Sequence, residues 1–194
     1  MRGKLIVLYG INNIGKTTQA EKLISYLKSN NFKVHHFKIP VYDLEPTGPQ
    51  INKILRSKKQ EVSEEEFQRL YAQNRKDYQP VVEEKLDQGF IVLAEDYTGT
   101  GLAWGSVKGA SMEYLKEINQ DILQEDLAIL LDGERFEKGR ETLHIHETDH
   151  ELTEKVRQKH LELAKEFNWK IVNANQPIEK VFEDIKKEVD IILL

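Results

Sequence analysis

The stretch Gly10-Ile11-Asn12-Asn13-Ile14-Gly15-Lys16-Thr17 matches the pattern G-x-x-x-x-G-K-[ST] in full. It follows the apolar run Leu5-Ile6-Val7-Leu8-Tyr9 and opens an amphipathic stretch with Ala20, Leu23, Ile24 and Leu27 at helical spacing. A strand, a glycine-bearing loop and a helix are the setting in which this pattern cradles phosphate. Gly10 and Gly15 let the backbone turn and bring N–H groups, including those of Asn13 and Thr18, against phosphate oxygens. Lys16 supplies a point charge to the outer phosphates, Thr17 a hydroxyl to Mg²⁺, and the helix start a positive dipole end. The loop is read as the cofactor half of a nucleotide site.

Apolar, β-rich segments recur between helical patterns: Lys4–Tyr9, Lys33–Ile39, Phe90–Ala94, Leu127–Leu131 and Lys170–Val172. Several lack polar alternation, as strands of a parallel sheet covered on both faces do. Ser63 and Glu66 form a capping box that opens a helix to about Gln88, with Pro80 expected to bend or split it. A last helix carries Ile178, Val181, Phe182, Ile185 and Val189 at helical spacing. Strands alternating with helices predict an α/β, doubly wound fold of three α/β/α layers on a five-stranded parallel sheet. Ligands of such sheets sit at the carboxyl ends of the strands, where this loop lies.

The 194 residues suit one domain, with no repeat or linker signal. A net charge of −5 offers no broad basic surface for nucleic acid, and the absence of cysteine removes thiolate and disulfide chemistry. No apolar run reaches the ~20 residues of a membrane span, and no leader composition precedes the first strand, so no membrane partner and a cytoplasmic protein are expected. The polar segment Gly133–Asp149 holds Arg135, Lys138 and Arg140, with Gly133 and Gly139 as hinges, and reads as a short basic lid over a transferred group. His144 and His146 form an H-x-H there, with His150 nearby, and solvated side chains are expected. His160 continues an apolar stripe and is expected to be partly buried and hydrogen-bonded.

Tyr71 and Arg75, four residues apart on one helix face, pair a ring with a guanidinium fork, which suits a nucleobase. Gly10–Gln19, Lys38-Ile39-Pro40, Leu70–Arg75, Glu95-Asp96-Tyr97 through Ala103-Trp104, and Asn168–Ile185 together resemble the thymidylate kinases in order and spacing. The resemblance covers nearly the whole chain, least well the lid. It implies transfer of the ATP γ-phosphoryl to dTMP, with ATP and Mg²⁺ as cofactors, in a homodimer. It also implies the site. Asn12 stands where the family places an acidic residue on the sugar 3′-hydroxyl. Lys38, ahead of Pro40, stands where an arginine grips the acceptor phosphate. Tyr71 would stack on the base, Arg75 would reach its O4, Thr100 lies near its edge, Trp104 packs against C2′, and Tyr97 completes the substrate set. Glu95 would accept from Mg²⁺-bound water, making Thr17 and Glu95 the metal residues. Lys16, Lys38, Glu95, Arg135 and Arg140 form the catalytic set.

The departure is Glu95-Asp96-Tyr97 where the family has Asp-Arg-Tyr: Asp96 puts an anion where a cation is usual. With no arginine inside the phosphate loop, the lid would supply the missing charge. Two other readings stay open: a deoxynucleoside kinase of the same fold, and a nucleotide-binding homologue with weakened catalysis.

Overall fold

The structure is a computed structural model and describes residues 2–57, 62–135 and 150–193. Five strands, β1 (Leu5–Tyr9), β2 (Val34–Lys38), β3 (Ile91–Glu95), β4 (Leu127–Asp132) and β5 (Lys170–Asn173), form one parallel sheet in the order β2-β3-β1-β4-β5. Every expected strand is present within a residue or two, and β3 runs on through Glu95. β1 and β3 are buried along their whole length, so both faces of the central sheet are covered.

Around the sheet run α1 (Lys16–Ser29), α2 (Thr47–Leu55), α3 (Glu64–Asp87), α4 (Thr98–Val107), α5 (Met112–Asn119), α6 (His150–Glu166) and α7 (Ile178–Leu193). α1 and α7 pack on each other and on the sheet, while α3, α4, α5 and α6 form the other connected group. The capping box at α3 is present, with Ser63 Oγ accepting from the Glu66 amide and the Glu66 carboxylate accepting from the Ser63 amide. Pro80 does not split α3; it lies exposed in a helix that continues to Asp87.

α4 was not legible as a helix, because Gly99, Gly101 and Gly105 in ten residues carry low helix propensity. Packing overrides that preference. A Cβ on Gly99 would lie 2.2 Å from the Trp169 ring, and one on Gly105 would lie 2.7 Å from Leu115. The helix therefore approaches its neighbours at distances only glycine permits, and Trp169 in turn stacks on Tyr9 with ring centroids 4.2 Å apart.

Register decides what meets at the carboxyl edge. Glu95 pairs with Lys38 on one side and Leu8 on the other, so the ends of β2, β3 and β1 bring Lys38, Glu95 and the start of the loop at Gly10 side by side. Arg157 of α6 holds the end of β4 through Nε and Nη2 to the Asp132 carboxylate, at 2.7 and 3.1 Å.

Candidate functional site

The loop after β1 turns through left-handed backbone at Asn13 (φ 60°) and Gly15 (φ 94°). Gly15 is the N-cap of α1 and no side chain caps it, which leaves first-turn amides of α1 directed at the cavity mouth. A cavity of about 540 Å³ opens there. Asn12, Asn13, Gly15, Lys16, Thr17 and Thr18 form one wall. Lys38, Pro40, Glu95 and Asp96 stand at its middle, and Tyr71, Arg75, Tyr97, Thr100 and Trp104 line the far half.

Glu95 is the most heavily bonded of these. It is 2% exposed, and its Oε2 accepts from Thr17 Oγ1 at 2.8 Å and from Lys38 Nζ at 3.1 Å, while Oε1 faces His36 Nε2 at 3.0 Å. Burial pushes its pKa up, but the bonds from His36 and Thr17 and the charge of Lys38 together outweigh burial and hold it below the ordinary value. Glu95 is therefore ionised at neutral pH. Lys38 Nζ also donates to Thr17 Oγ1 at 2.7 Å, which ties the edge strand to the loop. Carboxylate and hydroxyl oxygens adjacent to a phosphate loop are the hard donors that Mg²⁺ takes, so Thr17 and Glu95 fit that ion once the Lys38 ammonium, which bonds both oxygens here, moves off them.

Lys16 is 8% exposed and folds back onto its own loop, donating to the carbonyls of Gly10 (2.8 Å) and Ile11 (3.0 Å). Asp96 Oδ2 stands 3.6 Å from its Nζ. Asp96 has φ 61°, and its Oδ1 accepts from Thr100 Oγ1 at 2.9 Å. Burial raises the Asp96 pKa against the opposing pull of Lys16. One carboxylate thus links the loop lysine to α4.

In the far half, Arg75 is 2% exposed. Its Nη1 donates to the Tyr97 carbonyl at 3.3 Å and its Nη2 to Asn119 Oδ1 at 3.0 Å, while Nε–H has no partner among the described residues. Burial brings its pKa down to about 10, which leaves it protonated at neutral pH. Tyr71 packs against Phe67 with ring centroids 4.9 Å apart and keeps part of its ring toward the cavity. Arg135 does not line the cavity. It follows Glu134, whose amide and carbonyl are both clamped by the Asn175 side chain, and its Nη1 reaches Thr153 Oγ1 at 3.5 Å. Arg140, Lys138, His144 and His146 lie outside the described residues. His160 is 1% exposed with Nδ1 bonded to the Val156 carbonyl, as its place in the apolar stripe suggested.

Sequence reasoning missed Tyr42, Leu55, Arg56 and Gln68 on the cavity wall, and His36 behind Glu95. A signal existed for two of them. Gln68 precedes Tyr71 by three and Arg75 by seven, so it shares their helix face, and His36 precedes Lys38 by two on one strand face.

A glycine loop and bare helix start at the carboxyl edge of a parallel sheet, with Lys16, Thr17 and an ionised Glu95 converging there, define a phosphate-loop nucleotide-binding fold. The family model for thymidylate kinase matches residues 8–185. A probable thymidylate kinase of Pyrococcus abyssi is 33% identical over 200 residues, covering 95% of each chain. The human thymidylate kinase is 30% identical over 193 residues, covering 95% of this chain and 89% of the human one. The solved structure of thymidylate kinase from Candida albicans shares the fold, with a TM-score of 0.80 over 99% of this chain and 93% of that one, at 23% identity. The chain belongs to the thymidylate kinase family.

Proposed function

We propose that this chain is an ATP-dependent dTMP kinase, a nucleoside monophosphate kinase that passes the γ-phosphoryl group of ATP to dTMP and yields dTDP. The observation that carries the reading is a single cavity with two chemically different halves, a phosphate loop at one end and the Tyr71–Arg75 pair at the other, joined by Lys38 and Glu95. Lys16 and the amides at the start of α1 take the donor phosphates. Thr17 and Glu95 would hold Mg²⁺, which would supply neutralisation of phosphate charge. Lys38 takes the acceptor phosphate, Asn12 the sugar, and Tyr71, Arg75, Tyr97, Thr100 and Trp104 the rest of the nucleoside.

An oxygen of the acceptor monophosphate attacks the γ-phosphorus, the bond to the bridging oxygen breaks, and ADP leaves. The nucleophile is already an anion, so the protein needs no strong base, and its work is alignment and charge stabilisation. The cations assigned to the transferring group are Lys16, Lys38 and Arg140, the last outside the described residues, whereas Arg135, which stands off the cavity on Thr153, is not among them. The same reading takes the chain as one domain with a basic lid over 133–149, working as a homodimer in the cytoplasm. It is supported by the family resemblance and by the absence, among the described residues, of any helix long and apolar enough to cross a membrane.

The test is ADP formation from ATP and Mg²⁺ across dTMP, dUMP, dCMP and thymidine. Turnover with dTMP, lost when EDTA removes the metal, supports the reading. Phosphorylation of thymidine with none of dTMP sinks it in favour of a deoxynucleoside kinase.

A further inference from the structure

Gln68 is 3% exposed, lines the cavity, and keeps one polar atom, Oε1, without a partner among the described residues. A buried amide oxygen left unpaired is costly unless something arrives to pair it. Its surroundings say what it offers. Gln68 Nε2 donates to Glu64 Oε1 at 2.8 Å, and Glu64 Oε2 in turn takes Lys108 Nζ at 3.0 Å. An ionised carboxylate only accepts, so Glu64 must receive the NH₂ of Gln68. The Lys108–Glu64 pair therefore dictates the orientation of the amide and leaves its oxygen, buried and unpaired, against Gly101 and beside Arg75 in the cavity wall. A Cβ built on Gly101 would stand 3.0 Å from both Gln68 Oε1 and Arg75 Nη2. An acceptor and a cationic donor thus flank one glycine on one small patch of wall.

We infer that Gln68, locked by Glu64 and Lys108, reads the base of the acceptor nucleotide: its Oε1 takes the ring N–H of an imide base while Arg75 donates to the adjacent carbonyl. This rests on the proposed dTMP kinase reading and gives that site its base discrimination. A thymine or uracil edge offers a ring N–H donor beside a carbonyl acceptor. A cytosine edge offers a ring nitrogen acceptor beside an amino donor, so it meets Gln68 acceptor to acceptor and Arg75 donor to donor. Rejection by buried polar groups left unpaired is stronger than any size filter here can provide.

The experiment measures calorimetric dissociation constants for dTMP and dCMP without ATP, and for ATP alone, in wild type, Gln68→Leu and Glu64→Gln, with melting temperatures as a folding check. Gln68→Leu is expected to weaken dTMP about tenfold, as loss of one such bond does, to affect dCMP less, and to leave ATP unchanged. Glu64→Gln presents an amide that accepts or donates, which frees Gln68 to turn its NH₂ to the cavity, so dCMP gains on dTMP. A wild-type ratio of dTMP to dCMP binding in both variants overturns the inference, and if Gln68→Leu does not fold, Glu64→Gln decides alone. The two readings fail separately. Wild type that phosphorylates dTMP but binds dCMP equally well overturns base reading by Gln68 alone. Wild type that prefers dTMP in binding yet never phosphorylates it overturns only the kinase reading.

Discussion

Asp96 Oδ2 lies 3.6 Å from Lys16 Nζ, so the lysine of the phosphate loop faces a carboxylate from the end of β3. The anion partly cancels the charge the loop offers to donor phosphates, and the Thr100 hydroxyl helps to hold it there. Asp96→Asn keeps the hydroxyl bond and removes the charge. It also keeps the backbone at ease, because asparagine tolerates φ near 61° where a longer side chain such as arginine is strained. The ATP KM is expected to fall about threefold or more with kcat preserved, given the Coulomb energies of partly exposed pairs. A collapse of turnover in folded protein would show that Asp96 has a positive role in the reaction.

Glu95 accepts from His36, Thr17 and Lys38 at once. Replacing it by glutamine removes the charge but little volume. Glu95→Gln is expected to raise the Mg²⁺ concentration for half-maximal activity by about 10- to 100-fold, the usual consequence of disturbing groups around a bound metal. A magnesium titration that overlays the wild type excludes Glu95 from the metal site.

Arg75 does two jobs in the structure, holding Asn119 and the Tyr97 carbonyl and lining the far half of the cavity. Arg75→Ala therefore strips partners from buried acceptors as well as a donor from the cavity. The dTMP KM is expected to rise more than about tenfold while the ATP KM holds, consistent with the loss of a charged hydrogen bond. The Tm should also drop by about 5–10 °C, since roughly 3 kcal/mol lost in a chain of this size shifts Tm by that much. A dTMP KM unchanged beside a lowered Tm would leave Arg75 a purely structural residue.

His160 has its pKa pushed down to about 4 from 6.5, first by burial and then by the positive charge of Lys16. A folded-state pKa below the unfolded one means that its stabilisation is complete above the unfolded value of 6.5. That stabilisation is lost as pH falls toward 4, because the unfolded chain takes up a proton the folded one refuses. The loss is on the order of 3 kcal/mol across the window. Urea unfolding at pH 7 and pH 5 should therefore show a smaller decline for His160→Leu than for wild type. Equal declines remove His160 as a contributor to acid lability.

The local parts of this protein were legible because their chemistry is local. G-x-x-x-x-G-K-T names its own turn, helix start and charge, apolar runs without polar alternation announce a covered parallel sheet, and the spacing of Tyr71 and Arg75 puts a ring and a guanidinium on one face whatever lies beyond. Tertiary structure decided everything that depends on what stands opposite. Gly99, Gly101 and Gly105 argue against a helix until Trp169 and Leu115 press so close to Gly99 and Gly105 that a Cβ would collide, with Arg75 and Gln68 in tight contact at Gly101. Asp96 reads as a lost cation until the fold places it on Lys16. Gln68 carries no signal of its own until Glu64, held by Lys108, takes its NH₂ and fixes the orientation of the amide. Pattern encodes which residues share a face, whereas partners distant in the chain are chosen only when the sheet register and helix packing bring those faces together.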